Sequence, residues 1–178
     1  MQGSGTDRND TGQTARNIVL RQLSSAPKTR QQLSEKLADR EIPEEIIREV
    51  LDRFEEVELI DDAAFAQSWV RSRHRAKGLA RRALSMELRR RGVDEHNTEL
   101  ALEQLSDEDE RSKAHELVVR KLSRTNIPSP TDPAARKQRD RIVRRLVGML
   151  SRKGYSPGMA FSVVNDAMDT DEHYPFED

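Results

Sequence analysis

The chain has 178 residues, with 31 Lys and Arg against 32 Asp and Glu, and a formal net charge of −1. Apolar residues make up 34% and aromatic residues 4%, which argues against a large globular core and against an aromatic platform for single strands. The absence of cysteine excludes disulfides, thiol catalysis and cysteine-ligated metals. No apolar run has the length of a membrane span or the setting of a signal peptide, so we expect a soluble cytoplasmic protein without a membrane partner.

Most of the sequence has the spacing of apolar residues that is typical of helices. Residues 1–13 are small and polar, and we expect a disordered tail there. From about residue 14 to residue 168, apolar residues recur at spacings of three and four, which predicts an all-α chain. Residues 125–137 contain three prolines and predict a loop. Residues 169–178 form an acidic tail, also expected to be loose.

An internal repeat underlies this periodicity. Five positions with successive spacings of 4, 5, 4 and 4 occur at residues 33–50, 84–101 and 146–163. The five-residue step places Gly92 and Gly154 where a helix ends in a left-handed residue, and Glu41 takes that place in the first copy. A further helix precedes each pair. The sequence therefore predicts an elongated array of three tandem three-helix repeats at residues 14–60, 61–106 and 107–168, the third with the insertion 125–137.

Charge is segregated along the chain. Residues 71–91 hold nine bases against Glu87, and residues 136–153 hold eight against Asp140. Residues 41–62 hold ten acids against two bases, and residues 94–110 hold eight acids and no base. A charge run is usually a solvated helix face, but basic segments that recur on the second helix of two repeats favour a polyanion as partner. The candidate contact residues are Arg71, Arg73, Arg75, Lys77, Arg81, Arg82, Arg89, Arg90, Arg91, Arg144, Arg145, Arg152 and Lys153.

Catalytic motifs are missing from the sequence. It contains no phosphate-cradling loop, dinucleotide fingerprint or nucleophile elbow, and its four histidines never sit four residues apart as a helical metal pair does. We therefore expect no catalytic residue, no metal and no cofactor. Asp61 and Asp62 precede an apolar run and are predicted as helix N-caps rather than as paired catalytic acids. The predicted core residues of the central segment are Phe65, Trp69, Leu84 and Leu88.

The central segment contains a characteristic set of positions spread in order over 35 residues. These positions are Leu59, Ile60, Asp61, Asp62, Phe65, Ala66, Trp69, Val70, Arg73, Gly78, Arg81, Leu84, Glu87, Leu88, Gly92 and Val93. About sixteen positions thus resemble the central motif of the RecX proteins, bacterial regulators of the RecA recombinase, whereas the acidic ends and the proline insertion depart from the family's pattern. The family's basic positions correspond to Arg73 and Arg81.

The resemblance implies a curved array that lies in the groove of the RecA–DNA filament. Such a protein modulates RecA, mainly as an inhibitor: it suppresses ATP hydrolysis, strand exchange and filament growth, with no catalytic activity of its own. The implied setting is homologous recombination, DNA repair and the SOS response. The expected partners are the RecA filament and, weakly and without sequence specificity, single- or double-stranded DNA. We expect a monomer.

Two other functions fit parts of the sequence. Three short helices with a glycine at a turn also describe a helix-turn-helix transcription regulator. A reading helix mixes Gln, Asn, Ser and Arg, however, whereas the basic segment here is nearly all arginine and the following helix, DEHNTELALEQL, is acidic. A helical-repeat scaffold that never meets nucleic acid is the third possibility, and its binding would be insensitive to DNA and salt.

Overall fold

Every regular element of the described chain is an α-helix, which confirms the predicted fold class. The computed structural model describes the backbone of residues 4–128 and 133–170 and the side chains of residues 8–128 and 135–169. The helices are α1 (Ser4–Ser25), α2 (Arg30–Ala38), α3 (Glu44–Glu56), α4 (Asp62–Lys77), α5 (Arg81–Arg90), α6 (Glu95–Leu102), α7 (Asp107–Leu122), α8 (Pro133–Arg152) and α9 (Pro157–Thr170). Within these residues, none is long and apolar enough to cross a bilayer.

The nine helices of the described residues form three successive triplets, named here repeat 1 (α1–α3), repeat 2 (α4–α6) and repeat 3 (α7–α9). In each triplet the second helix ends in the same turn. One backbone N–H donates to a carbonyl five residues earlier at 3.2 Å, in the pairs Ile42 to Leu37, Val93 to Leu88 and Tyr155 to Leu150. The residue before each donor is left-handed, with φ of 59° at Glu41, 78° at Gly92 and 92° at Gly154. The glycine positions predicted from the five-residue step are confirmed.

The leucines at the start of each five-position pattern are fully buried. Their exposed fractions are 2% or less, at Leu33, Leu37, Leu84, Leu88, Leu146 and Leu150. Since these residues lie four apart on the second helix, they place one face of that helix against its neighbours. The burial of Leu84 and Leu88 confirms two of the four predicted core residues of the central segment.

The chain divides into two compact units, and the division passes through repeat 2. Unit 1 comprises Met1–Val70 and Glu87–Ala101, and unit 2 comprises Arg71–Met86 and Leu102–Asp178. The core of unit 1 lies among α1, α2 and α3, around Val19 and Leu51. The core of unit 2 lies among α7, α8 and α9, around Val118 and Val164. Each unit therefore contains one whole outer repeat together with parts of the middle repeat.

The ends and the insertion differ from the sequence expectations. Residues 4–13, expected in a disordered tail, lie in α1, where Gly12 is buried and Arg8 donates to Glu49 at 3.3 Å. Helix α8 begins at Pro133, so the last five residues of the expected loop 125–137 are helical, because proline is tolerated in a first turn. Residues 1–3, 129–132 and 171–178 lie outside the described residues, and these include most of the expected acidic tail.

Helix caps follow the sequence in part. The Asp61 carboxylate accepts the backbone N–H of Ala64 at 2.8 Å, as an N-cap does. Asp62 is not a second cap for the same helix. Its carboxylate accepts the backbone N–H of Arg30 at 2.9 Å, so it serves the start of α2 in the preceding repeat.

We predict that Gly154→Ala lowers the free energy of unfolding by about 2 kcal/mol or more, because a φ of 92° strains any residue with a Cβ. An ideal Cβ would also lie 2.5 Å from the backbone nitrogen of Ala83. Gly158 is the matched control, since nothing lies within 4 Å of its Cβ, and Gly158→Ala should leave stability unchanged or slightly raised. Urea unfolding followed by circular dichroism measures both, and equal midpoints would contradict the strained turn.

Candidate functional site

The candidate contact residues fall into two groups in the structure. Ten of the thirteen lie in unit 2, and only Arg89, Arg90 and Arg91 lie in unit 1. Unit 2 carries 19 Lys and Arg against 14 Asp and Glu, a net charge of +5, whereas unit 1 carries 12 against 18, a net charge of −6. The nearly neutral total therefore hides one basic and one acidic unit.

The basic residues repeat in register. A shift of 62 positions relates Arg82 to Arg144, and the same shift relates Arg90 to Arg152. All four are exposed, on the second helices of repeats 2 and 3. This placement supports a shared role, since equivalent positions of stacked repeats face the same way within each repeat.

Seven of the candidate side chains are available to a partner. Within the part of the chain that the structure describes, these side chains are exposed and form no hydrogen bond or ion pair: Arg71, Arg75, Lys77, Arg82, Arg90, Arg144 and Arg152. Six of the seven, all except Arg90, lie in unit 2, on α4, at the start of α5 and along α8. Arginine at this density favours bidentate contact with phosphate or carboxylate groups.

Arg81 is occupied within the fold. Its backbone N–H and its guanidinium Nε both donate to the Glu110 carboxylate, at 2.6 Å and 3.2 Å, and the guanidinium also pairs with Asp107. Glu110 is a buried charge, 6% exposed. Although burial lowers the pKa of Arg81, the two carboxylates raise it overall. The sequence placed Arg81 at the contact surface, whereas the structure places it between α5 and α7.

The equivalent contact in unit 1 involves Arg30, which lies 51 positions before Arg81 and which the sequence did not single out. Its backbone N–H donates to Asp62, and its guanidinium pairs with Asp52 at 2.6 Å and Glu55 at 2.5 Å. We call this shared contact the clasp: the carboxylate of Asp62 or Glu110, in the first turn of a leading helix, accepts the backbone N–H that begins the second helix of the preceding repeat. The repeat offset of 51 residues, which relates Arg30 to Arg81, is the sequence signal that could have identified the two arginines as equivalent.

Three of the other candidates also have partners within the chain. Arg89 pairs with Glu95 at 3.0 Å. Arg145 donates to the hydroxyl of Thr125 at 3.3 Å. Arg73 has an interaction within the chain as well. These residues are therefore less available than the seven exposed cations.

Trp69 and Phe65 are not core residues, contrary to the sequence prediction. Both are half-buried, and their rings stack with centroids 5.6 Å apart. The guanidinium carbon of Arg91 lies 3.8 Å from the Trp69 ring, and the indole N–H donates to the Glu87 carboxylate at 2.8 Å. A cation–π contact of this kind is stabilising at a half-exposed site. Helical periodicity does not reveal this contact, because Arg91 lies 22 positions after Trp69 in the sequence.

An open cleft of unit 1 gathers acidic side chains. Its lining includes Glu55, Glu58, Asp61, Asp62 and Asp94. Burial, with repulsion from Glu55 and Asp94, raises the pKa of Asp62 although the Arg30 N–H opposes this shift. Among the described residues, no three His, Asp or Glu side chains are arranged to hold a metal ion. The cleft is therefore a region of negative potential that repels a polyanion.

Family models match two parts of this chain: residues 15–54 match the first three-helix domain of RecX, and residues 61–102 match the second. Regulatory protein RecX of Streptomyces coelicolor is 51% identical over 165 residues, which are 93% of this chain and 83% of that protein. Regulatory protein RecX of Thermobifida fusca is 49% identical over 157 residues, covering 88% and 80%. These relatives match repeats 1, 2 and 3 together.

A solved structure is similar in fold. The crystal structure of RecX from Lactobacillus salivarius aligns with a TM-score of 0.77 and 22% identity, covering 90% of this chain and 98% of that one. At this identity the likeness concerns the fold and leaves open the function of individual side chains.

We predict opposite behaviour for two adjacent arginines. Arg81→Ala should lower the free energy of unfolding by about 1 to 3 kcal/mol, because it leaves the buried Glu110 carboxylate without its charged partner. Arg82→Ala should change it by less than about 0.5 kcal/mol, because Arg82 is exposed and unpaired within the described chain. Thermal unfolding measures both, and similar losses in the two variants would refute the structural role of Arg81.

Proposed function

This chain belongs to the RecX family, and we propose that it regulates a RecA recombinase by binding in the groove of the RecA–DNA filament. Bound there, it lowers ATP hydrolysis, strand exchange and filament growth. It acts as a cytoplasmic monomer and has no catalytic activity of its own. The observation that supports this mechanism most directly is the set of exposed arginines repeated at equivalent positions of repeats 2 and 3.

The proposed contact residues are the exposed, unpaired cations of unit 2. Arg71 and Arg75 lie one turn apart on α4, Arg82 lies at the start of α5, and Arg144 and Arg152 lie on α8. An ion pair on an open surface contributes little, about 0 to 1 kcal/mol. In a groove between protein and DNA, water is excluded and truncation of one partner of a charge pair costs more, so several such arginines are sufficient to hold the protein in the groove.

The acidic surface of unit 1 favours the filament over bare DNA as the partner. Unit 1 has a net charge of −6 and an acidic cleft, both of which oppose approach to phosphates. A filament offers protein surface as well as phosphate, so acidic and basic faces can both find complementary partners there. We therefore propose that contacts with RecA add to those with DNA, and that the protein prefers the assembled filament.

Titrating this protein into an assay of the DNA-dependent ATPase of RecA is the direct test. We predict that the ATPase rate falls at ratios well below one protein per RecA subunit, because a groove binder acts on several filament subunits at once. Strand exchange should fall in the same range. An ATPase rate that stays unchanged at equimolar protein would reject the proposed function.

A pair of double variants locates the contact surface within the same assay. Arg82→Glu with Arg144→Glu should raise the concentration needed for inhibition by about tenfold or more, or roughly 1.4 kcal/mol. Arg21→Glu with Arg48→Glu changes the net charge equally at exposed positions of unit 1 and should inhibit like the wild type. Equal effects of the two double variants would mean that net charge, and not these repeat positions, governs binding.

Salt dependence separates filament binding from direct DNA binding. With three or four phosphate contacts, affinity for a single strand should fall with log[salt] at a slope of about −2 to −3. Bare DNA should bind weakly at physiological salt and without sequence preference, and the filament should bind more tightly. Fluorescence anisotropy with labelled oligonucleotides measures the slope. Tight, sequence-specific binding to bare duplex would instead favour a transcription regulator. The exposed acids Asp94 and Glu95 at the start of α6, the third helix of repeat 2, argue against that result, because they repel DNA.

A further inference from the structure

Four cations of unit 2 gather where three helices end. Lys77 is the last residue of α4, Arg120 and Lys121 lie in the last turn of α7, and Lys153 follows the last residue of α8. Arg120 and Lys121 were absent from the residues predicted from sequence, because α7 is acidic at its start and has no long basic run. We call these four residues the helix-end cluster.

The Lys153 side chain is fixed against the end of α4. Its Nζ donates to the backbone oxygen of Lys77 at 2.5 Å, and its own backbone oxygen accepts the N–H of Ala80 at 2.9 Å. Two residues later, the buried Tyr155 hydroxyl donates to the backbone oxygen of Gly78 at 3.0 Å. The turn after α8 therefore holds the turn after α4, and the ammonium group keeps two further N–H donors for a ligand.

The positive charge of the helix-end cluster is only partly offset within the described chain: a hydrogen bond from Lys113 lowers the pKa of Glu116, and the nearby charge of Arg120 lowers it further. Burial lowers the pKa of Lys153, and the charges of Arg120, Lys77 and Lys121 lower it further. None of the four side chains forms an ion pair among the described residues. Glu116, one turn before Arg120, is hydrogen-bonded to Lys113 at 2.7 Å.

Helix dipoles do not account for this concentration of charge. A helix C-terminus carries roughly −0.5 of an elementary charge, so three ends supply about −1.5 against four cations. By this count, the helix-end cluster keeps a net positive charge. The fold thus holds four like charges together although they repel one another, and an anion bound among them would remove that repulsion.

We propose that the helix-end cluster is a binding site for a phosphate monoester, such as the terminal phosphate of a nucleic-acid strand or a phosphate of a free nucleotide. A monoester carries about −1.5 to −2 at neutral pH and three strong acceptor oxygens, whereas each phosphodiester of a strand carries only one negative charge. Lysine binds such a group as a point charge, and the Arg120 guanidinium adds a fork of donors. This site does not depend on the proposed binding to the filament, because its residues and contacts all lie within this chain.

The test compares ligands that differ only in the phosphate, with RecA absent. A labelled single strand with a 5′-phosphate should bind about fivefold or more tightly than the same strand with a 5′-hydroxyl, as measured by anisotropy. Inorganic phosphate and ADP are titrated against the labelled strand as competitors. If ADP displaces the strand at lower concentration than inorganic phosphate, a free nucleotide is the source, and if both displace it only weakly, the source is a strand end.

Variants assign the effect to the helix-end cluster. Lys121→Gln and Lys153→Gln should each abolish the preference for the 5′-phosphate, and Lys121→Gln does so without touching the hydrogen bonds that hold the turn. Lys113→Gln is the matched control, on the same helix but paired with Glu116, and it should keep the preference. A wild type that does not distinguish the two strands overturns the proposal, and so does a preference that survives Lys121→Gln.

Discussion

The clasp between successive repeats is the contact on which the rest of the structure depends. The first N–H groups of a helix have no partner within that helix, so a second helix buried in a repeat array needs an acceptor from outside. Asp62 supplies this acceptor to α2, and Glu110 supplies it to α5. Since each carboxylate sits in the first turn of the next leading helix, the same bond that satisfies one helix also fixes the register of the next repeat.

The two clasps differ in the charges that surround the carboxylate. At Glu110 the Arg81 guanidinium adds a charged partner, whereas at Asp62 the Arg30 guanidinium turns to Asp52 and Glu55 instead. The pKa of Asp62 is accordingly raised, by burial first and then by nearby acids. A raised pKa in the folded state means that folding favours the protonated carboxyl. The contribution of Asp62 to stability is therefore lost as pH rises above the pKa that this residue has in the unfolded chain.

Local patterns in the sequence predicted most of the fold but less of the site. The spacing of Leu84, Leu88 and Gly92 is a property of one helix and its turn, so periodicity and glycine chemistry were enough to predict both. Pairing depends on the tertiary fold: Arg91 reaches Trp69, and Arg81 reaches Glu110, across distances in sequence that no helical period encodes. For the same reason, ten residues of a polar segment expected to be disordered, 4–13, lie in α1.

Two adjacent arginines at the start of α5 differ in their surroundings. At Arg81, the carboxylate that accepts the backbone N–H also attracts the side chain, whereas the guanidinium of the equivalent Arg30 pairs with other acids. The next residue, Arg82, is exposed and forms no hydrogen bond or ion pair among the described residues. Arg81 thus stabilises the junction between repeats, and this difference is the reason why we propose Arg82, and not Arg81, as a contact for a partner.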